Sequence, residues 1–392
     1  AKRKVAIIGG GPAGLTCAYF LARLGYQPKV FESAPRPGGM LVQCIPAYRM
    51  PREELAREIR MIERMGVEIE TNKSLGKDFT LQQLRDEGYE AVFLAVGAPA
   101  GAKLRIANED AQGVYDSIEF LREYNLRGSA AIGKKVVVIG GGNAAVDAAR
   151  TAVRLGAESV TILYRRTRDE MPAYKEEIEE AENEGVIIKT LVAPQEIVSK
   201  GGKVAGVRCN HMWLGDFDSS GRRRPQVRED GDSFVEPADQ VIAAVGQSLD
   251  TKSLMGDLPV KTKLNGFVAS DALYGRTSLD WLFAGGDTAD GPSSVAEAIG
   301  AGERAAVGID LYLTGEEHAF WRETFDVDTE FDPDADPSDA PRAEMKLLPE
   351  ERRVHNFNEV EMAYTESVAV REARRCLRCD FRSCGTEKSA SH

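Results

Sequence analysis

The sequence lacks the features that mark membrane-spanning, nucleic-acid-binding and disulfide-stapled proteins. No apolar run approaches the roughly 20 residues of a bilayer span, which predicts a chain that is not integral to a membrane. Basic residues are the minority, with 50 Lys and Arg against 62 Asp and Glu for a net charge of −12, which argues against nucleic acid as a partner. Only six cysteines occur, and three of them are scattered singly, which is typical of reduced thiols in a cytoplasmic protein.

Glycine, by contrast, is in excess. It accounts for 38 of the 392 residues, above the roughly 7% share of average proteins, which indicates places where the backbone must approach another group closely. At a typical ~100–200 residues per domain, the length predicts two or three domains.

The first glycine motif has the context of a dinucleotide-binding loop. A short apolar strand, Lys4–Ile8, runs into Gly9-x-Gly11-x-x-Gly14, and an amphipathic helix follows. The spacing provides a tight turn, a close approach of the backbone to a pyrophosphate and a helix N-terminus that faces the phosphates. Glu32 ends the next strand, where a carboxylate can accept the ribose hydroxyls of an adenosine.

The same pattern returns 131 residues later. Lys135–Gly142 repeats Lys4–Gly11, and the second motif reads Gly140-x-Gly142-x-x-Ala145. Two such units predict two dinucleotide sites or one duplicated relic.

The strand after the second motif ends differently. Tyr164 falls where Glu32 stands in the first unit, and Arg165 and Arg166 come next. Guanidinium groups at this point accept the 2′-phosphate of NADP, whereas an acid selects NAD, so the second site is predicted to prefer NADPH. The alternative is a solvated basic strand end.

Later segments complete both units. The strands expected at Glu90–Val96 and Asp239–Val245 are each followed by a glycine. A third signature joins strand Trp281–Ala284 through Gly-Gly-Asp to a helix at Val295–Leu311. A helix opened by the Ser-Ser pair at 293–294 would direct its positive end at a bound flavin ring.

These motifs resemble a known family. Gly-Gly-Gly-Asn-Ala-Ala-Val-Asp at 140–147 and Tyr-Arg-Arg-Thr-Arg-Asp-Glu-Met-Pro-Ala at 164–173 are similar to the NADPH-binding unit of the glutamate synthase small (beta) subunit-like NADPH/FAD oxidoreductases. That group is related to the flavin domains of dihydropyrimidine dehydrogenase and of NADH-dependent ferredoxin:NADP oxidoreductase. The resemblance runs from about residue 3 to residue 315 and implies that the first unit binds FAD.

The resemblance implies an α/β fold with two Rossmann-like dinucleotide-binding domains and a C-terminal Cys-containing helical tail. The FAD domain is split in sequence and the NADPH domain is inserted into it. The predicted boundaries are 1–100 and 247–315 for the FAD-binding domain, 101–246 for the NAD(P)H-binding domain, 316–350 for an acidic and Pro-rich linker and 351–392 for the Cys-rich tail.

The motifs and the resemblance together imply contacts with both cofactors, and Asp287 would hold the ribityl chain unless it serves only as a turn or helix-capping aspartate. The FAD contacts are expected at Gly9, Gly11, Pro12, Ala13, Gly14, Glu32, Ser33, Gly39, Met40, Arg49, Leu75, Ala95, Gly97, Gly286, Asp287, Ser294 and Val295. The NADP contacts are expected at Gly141, Gly142, Asn143, Ala144, Arg165, Arg166, Ala244 and Gly246.

Disulfide reduction, common among flavoproteins with two dinucleotide sites, needs a cysteine pair beside the flavin. The segment after the Gly-Gly turn offers only Cys44, where the named relatives usually have glycine. The favoured interpretation is that Cys44 is a small, semi-buried side chain rather than a redox group. Cys17 and Cys209 are predicted to be core residues.

The C-terminal tail carries the remaining cysteines. A helix-prone stretch, Glu359–Arg375, leads to Cys376, Cys379 and Cys384 in a C-x₂-C-x₄-C run, a spacing that suits one metal centre. The run and its lead-in resemble the first half of the iron–sulfur domain that usually precedes the flavin domain in glutamate synthase small subunits, so a 4Fe-4S cluster is expected. A fourth cysteine is missing, and three explanations compete: the chain is truncated relative to its gene, a partner supplies the ligand, or His392 completes a zinc site. Free thiols without a metal are the remaining alternative.

The leading hypothesis is a flavoprotein electron-transfer subunit that passes electrons between NADPH and, via FAD, iron–sulfur centres of a larger complex. Its expected partners are other iron–sulfur or catalytic subunits of a hetero-oligomeric oxidoreductase. Hydride transfer of this kind needs no protein acid or base, so no catalytic side chain is assigned. The alternative is a stand-alone NADPH-dependent flavin reductase of a small molecule or disulfide with a zinc-stabilised tail. A non-catalytic scaffold with one decayed site is disfavoured by the intact motifs of both units.

Overall fold

A computed structural model describes residues 3–217, 221–229, 231, 233–322 and 341–375. The chain divides into two compact units, one formed by Ala1–His318 with Pro349–Asn358 and the other by Ala319–Leu348 with Glu359–His392. The cysteine run 376–384 and most of the predicted linker, 323–340, lie outside the described residues.

The described strands are numbered in chain order. They are β1 (Lys4–Ile8), β2 (Gln27–Glu32), β3 (Glu68–Thr71), β4 (Ala91–Leu94), β5 (Ala100–Gly101), β6 (Val114–Asp116), β7 (Lys135–Ile139), β8 (Ser159–Tyr164), β9 (Ile187–Thr190), β10 (Val192–Lys200), β11 (Lys203–Phe217), β12 (Arg223–Val227), β13 (Phe234–Pro237), β14 (Gln240–Ala243), β15 (Gln247–Ser248), β16 (Leu282–Ala284), β17 (Lys346–Leu347) and β18 (Glu361–Met362).

The described helices are numbered in the same way, and two further 3₁₀ turns lie at Arg168–Glu170 and Phe320–Arg322. The helices are α1 (Pro12–Arg23), α2 (Met40–Gln43), α3 (Arg52–Arg64), α4 (Leu81–Asp86), α5 (Ser117–Arg127), α6 (Asn143–Arg154), α7 (Lys175–Asn183), α8 (Thr251–Met255), α9 (Asp287–Asp290), α10 (Val295–Thr314), α11 (Glu350–Arg353) and α12 (Glu366–Ala373).

Two five-stranded parallel sheets confirm the predicted repeat. The first has the order β16-β4-β1-β2-β3 and the second the order β6-β14-β7-β8-β9, so β1, β2, β3 and β4 correspond to β7, β8, β9 and β14. In both sheets the strand that precedes the glycine loop is central and nearly continuous in apolar residues, as a strand covered on both faces requires.

The first domain is split in sequence, as predicted. Its fifth strand, β16, joins β4 only after the whole second sheet has been formed. The chain leaves the first domain at β5 and returns at β15, and these two strands pair antiparallel, Ala100 with Ser248 and Gly101 with Gln247. The exact domain boundaries remain predictions.

Alternate residues of the central strands supply two cores on opposite faces of each sheet. In β1, Val5 and Ile7 pack towards α1 and α10, whereas Ala6 and Ile8 pack towards the opposite layer. The second domain has the same two-sided core, and a further antiparallel sheet, β10-β11-β12 with β13 on β11, covers one face of its parallel sheet.

The stretch 359–375, expected to be helical, is helical only in its second part, and the prediction was wrong for its first part. Residues Glu361–Met362 form a short strand paired with Lys346–Leu347, and the helix begins only after Thr365, whose side chain accepts the N–H of Val368 at 3.4 Å. A threonine cap of this kind starts a helix at the residue that follows it, whatever the helical propensity upstream.

Candidate functional site

The two glycine units face one cavity of about 1200 Å³. The first domain lines most of it. The second contributes one side of α5, Asn143 and Ala144 at the start of α6, and Pro172 and Tyr174. A dinucleotide cofactor in each unit could therefore extend one end into the same cavity.

The first glycine loop is closed on the strand side and open on the cavity side. A Cβ on Gly9 would lie 2.2 Å from the carbonyl oxygen of Ala95, and one on Gly14 would lie 1.9 Å from that of Gly9, so both positions require glycine. A Cβ on Gly11 would meet nothing nearer than the Cα of Gly39 at 3.7 Å. Gly11 therefore leaves room for a phosphate group to reach the start of α1.

Glu32 is held at the end of β2 by backbone donors. Its carboxylate accepts the N–H of Gly10 and that of Ala34, each at 2.7 Å, and the hydroxyl of Ser33 at 3.2 Å. The side chain is 3% exposed, and Glu32 lines the cavity. A carboxylate has about four acceptor sites, so a pre-oriented Glu32 retains capacity for a ribose hydroxyl.

The second glycine loop has the same backbone geometry with a different neighbour. A Cβ on Gly140 would lie 2.3 Å from the carbonyl oxygen of Ala244, and one on Gly142 would meet nothing nearer than 3.9 Å. The Tyr164 ring lies against Gly141, where a Cβ would come within 2.5 Å of it, and its hydroxyl donates to the carbonyl of Glu170 at 2.7 Å. An aromatic ring thus occupies the place that the carboxylate has in the first unit.

The two arginines after Tyr164 have different surroundings. Arg165 is exposed, whereas Arg166 is 4% exposed and its Nε donates to the carbonyl of Arg223 at 2.8 Å. Arg223, at the start of β12, also pairs with Glu170 at 3.3 Å. Arg166 therefore ties the β12 strand to this end of the parallel sheet.

The third signature borders the cavity at the start of α10. Ser294 caps that helix, accepting the N–H of Glu297 at 3.2 Å, and forms a capping box with the Glu297 carboxylate. The Asp287 carboxylate accepts the N–H and the hydroxyl of Ser293 at 3.1 and 2.8 Å. Burial raises the pKa of Asp287 against the lowering effect of those two bonds. Asp287, Ser294 and Val295 all line the cavity.

Arg49 connects the two domains across the cavity wall. Its guanidinium donates to both carboxylate oxygens of Asp147 at 3.0 Å and pairs with Glu177 at 2.9 Å. Burial raises the pKa of Asp147 to about 6, although the charge of Arg49 acts in the opposite direction. The residue expected to touch FAD thus also holds a carboxylate of the second domain.

Most residues predicted for the FAD site come together in the cavity wall, and two do not line it: Gly14 packs inside the strand–helix turn, and Gly286 precedes α9. Of the residues predicted for the NADP site, Asn143 and Ala144 line the cavity. The remaining ones lie outside its wall, namely Gly141, Gly142, Arg165, Arg166, Ala244 and Gly246.

Several lining residues were not assigned from the sequence. Asp147, Pro172 and Tyr174 border the cavity, and the Asn143 side chain accepts the N–H of Tyr174 at 3.1 Å. Asp147 and Pro172 fall within the motifs that carried the family resemblance, so the signal was present. Thr288, which does not line the cavity, was also missed. It is fully buried, and its hydroxyl accepts the N–H of the lining residue Gly97 at 2.7 Å.

The three cysteines within the described ranges are buried and free, as predicted for Cys17 and Cys209. Cys44 lines the cavity, and burial raises the pKa of its thiol to about 12. Cys376, Cys379 and Cys384 lie outside the described residues. In the part of the chain that the structure describes, no group of three or more His, Cys, Asp or Glu side chains is arranged to hold a metal ion.

None of the described helices has both the length and the apolar character needed to cross a membrane.

Residues 3–302 match the family described as pyridine nucleotide-disulphide oxidoreductase, and the chain belongs to that family. The predicted class, a pyridine-nucleotide-dependent oxidoreductase with two dinucleotide-binding folds, is thereby confirmed.

Two curated relatives narrow the resemblance. The chain is 43% identical over 391 residues to the NADP(+)-dependent formate dehydrogenase subunit beta of Moorella thermoacetica, covering 96% of this chain and 54% of that protein. It is 39% identical over 327 residues to the glutamate synthase (NADPH) small chain of Escherichia coli strain K12, covering 79% of this chain and 69% of that protein. The resemblance to glutamate synthase small subunits is confirmed. The chain spans about half the length of the formate dehydrogenase subunit.

Among solved structures, FprA of Mycobacterium tuberculosis in complex with NADPH aligns with a TM-score of 0.69 at 19% identity, covering 80% of this chain and 85% of that one. At this identity the likeness shows the fold, and it confirms the predicted two-domain α/β architecture.

Proposed function

We propose that this chain is a flavoprotein electron-transfer subunit that binds FAD in the first unit and NADPH in the second. One observation carries the proposal: the glycine loop of the first unit and the start of α6 in the second line the same cavity. Two nucleotide sites that open into one cavity suit direct transfer between their cofactors. When bound, FAD would supply the chemistry that converts a two-electron donor into a source of single electrons.

The first unit fits FAD. Gly11 leaves the approach to the α1 N-terminus open, and Glu32 presents a pre-oriented carboxylate at the strand end. The α10 N-terminus, which also borders the cavity, begins after Ser294, where a partial positive charge favours an electron-rich ring edge. Asp287 beside it offers a partly buried acceptor for a hydroxylated chain.

The second unit fits NADPH. Gly142 leaves the approach to α6 open, and the strand end carries Tyr164 in place of an acid. We assign the reading of the 2′-phosphate to Arg165, which is exposed, and a supporting role to Arg166, which is buried and hydrogen-bonded to the backbone of β12. The contacts at the other predicted FAD and NADP residues belong to the same proposal.

Electrons would leave through an iron–sulfur centre at Cys376, Cys379 and Cys384. The support is their C-x₂-C-x₄-C spacing, which is typical of thiolate ligation of such clusters. The relatives named above as beta and small chains are subunits, which supports partner subunits that complete the electron path. A cytoplasmic location is part of the proposal.

The first test concerns the flavin unit. The full chain loaded with FAD is mixed with NADPH or NADH without oxygen, and the loss of the flavin's visible absorbance is followed. We expect rapid reduction with NADPH and slow reduction with NADH. Failure of both nucleotides to reduce bound FAD would refute the proposal.

The second test concerns the tail. Iron and acid-labile sulfide are measured in the anaerobically purified chain and in the Cys379→Ser variant. That variant is expected to bind FAD and oxidise NADPH with an artificial two-electron acceptor, and to fail with the native one-electron partner. Zinc or no metal in the native complex would rule out the iron–sulfur assignment.

A further inference from the structure

The loop Ile45–Met50 of the first domain, called here the interdomain loop, is inserted into the second domain. Tyr48 at its centre is 1% exposed. Its ring centroid lies 3.9 Å from the guanidinium of Arg154 and 4.9 Å from that of Arg150, both on α6. Such cation–π contacts are strongest when both groups are withdrawn from water, as they are here.

A third segment, distant in sequence, closes over the same loop. Residues Pro349–Asn358, called here the clasp, pack in the first compact unit, although thirty residues separate them from His318, where the main part of that unit ends. The Phe357 ring lies 6.1 Å from that of Tyr48 and stacks on Tyr124 of α5 at 4.1 Å. The clasp thus contacts the interdomain loop and the second domain together.

Arg353 anchors the middle of the clasp. It is 2% exposed, forms an ion pair with Glu180 and lies 3.3 Å from the carboxylate of Glu184. Glu184 is also bound by Arg150 and Arg154 at 2.7 and 2.9 Å. Burial alone would raise the pKa of Glu184, but the hydrogen bonds from Arg154 and Arg150 outweigh it and lower that pKa.

The ion pairs continue from the clasp to the cavity. The residues that form these ion pairs are buried or half-buried. Arg49 and Glu177, which are half-buried, lie 2.9 Å apart. The order of the groups is Arg353, Glu184, Arg150, Glu177, Arg49 and Asp147. A buried charge that loses its partner is destabilised strongly, so this network permits one arrangement of the three segments rather than a range of them.

We propose that the clasp is a positioning element: Phe357 and Arg353 hold the interdomain loop against the second domain and thereby set the relative placement of the two nucleotide sites. Neither side chain is among the residues that line the cavity. Their effect on transfer between the sites would pass through Tyr48 and Arg49. This inference rests on the proposed function, because it assigns a role in transfer between the two cofactors.

The test uses the full FAD-loaded chain and the variants Phe357→Ala and Arg353→Ala. Arg352→Ala is the matched control, because Arg352 is the exposed neighbour on the same short helix. Phe357→Leu keeps most of the apolar volume and serves if the alanine variant fails to fold, and Phe357→Tyr restores a ring. Amide hydrogen exchange of residues 45–50, NADPH affinity and the rate of flavin reduction are measured for each variant.

We expect Phe357→Ala and Arg353→Ala to lose protection in the interdomain loop and to slow flavin reduction by roughly 10- to 100-fold, while NADPH affinity and FAD content stay near those of the unmodified chain. The control and Phe357→Tyr should retain both protection and rate. Unchanged reduction in the two alanine variants would overturn the proposal, as would a loss confined to NADPH affinity or an equal loss in the control.

Failure of the proposed function would look different. In that case the unmodified chain itself would not be reduced by NADPH, whereas the exchange of residues 45–50 would still respond to the clasp variants. If NADPH reduces the flavin of the unmodified chain and of the clasp variants at the same rate, only the proposed role of the clasp is refuted.

Discussion

The two glycine units repeat the same backbone and differ at the end of one strand. In the first, Glu32 accepts the N–H of Gly10 at 2.7 Å, whereas in the second the ring of Tyr164 lies against Gly141. A carboxylate there offers acceptors to ribose hydroxyls, and a ring followed by an exposed Arg165 leaves the position open to a phosphate. The fold supplies two equivalent glycine loops, and the residues at the end of the following strand decide which nucleotide each loop accepts.

The largest expected effect is on cofactor binding, and a matched pair of substitutions tests the two glycine units separately. Gly11→Val and Gly142→Val each change a glycine whose added Cβ would meet nothing nearer than 3.7 or 3.9 Å, at φ angles of −81° and −91° that any residue can adopt. Folding should survive, while the added methyl groups obstruct the approach of a pyrophosphate to the helix N-terminus.

We expect Gly11→Val to lose FAD and keep NADPH binding, and Gly142→Val to do the reverse. Flavin content after gel filtration and NADPH titration by calorimetry measure the two properties. Loss of both cofactors from either variant would show that the units do not bind independently.

The next effect distinguishes the neighbouring arginines. Removal of one charge-assisted bond costs roughly 1.5–3 kcal/mol, so Arg165→Ala should lower kcat/KM for NADPH by about 10- to 150-fold and leave NADH nearly unchanged. Arg166→Ala removes a buried bond to the Arg223 carbonyl and should instead lower the melting temperature, with similar losses for the two nucleotides. Equal losses for NADPH and NADH in Arg165→Ala would contradict the assignment.

A smaller effect should depend on pH. Burial raises the pKa of Asp147 from an ordinary 3.8 to about 6, so the folded state binds this proton more tightly than the unfolded state. The contribution of Asp147 to the free energy of unfolding is therefore greatest below pH 4 and falls as pH rises to about 6, by on the order of 2–3 kcal/mol.

Denaturant titrations of the unmodified chain and Asp147→Asn between pH 4 and 7 test this. The unmodified chain should lose stability relative to the variant across that interval. Asp110→Asn, which makes the same substitution at an exposed carboxylate, is the control. A pH-independent difference between the chain and Asp147→Asn would exclude the raised pKa.

The smallest effect concerns Cys44. Burial raises the pKa of its thiol to about 12, which leaves almost no thiolate at neutral pH. Cys44→Ala should therefore change NADPH-driven flavin reduction by less than about twofold. Selective loss of activity towards a disulfide acceptor would favour disulfide reduction over electron transfer to a partner.

Local motifs allowed much of this organisation to be predicted. The positive φ angles of Gly9 and Gly140 and the helix cap at Ser294 are local features of the chain, so strand–loop–helix units could be placed before any long-range contact was known. The same local logic failed in the tail, where a helix was expected from residue 359 and the cap at Thr365 delays it. The predicted iron–sulfur ligands, Cys376, Cys379 and Cys384, remain a prediction.

The sequence by itself determined the two glycine loops and the acidic or aromatic residue that faces each of them. Turns, helix caps and strand ends depend on the chemistry of neighbouring backbone and side-chain groups. Only the tertiary structure decided which charges meet. Arg49 reaches Asp147 from another domain, Arg166 is occupied by the backbone of β12, and Arg353 is buried against Glu184. Such pairs depend on packing between segments far apart in the chain, where a charged side chain has many partners of the right sign and only the fold brings one of them within hydrogen-bond distance.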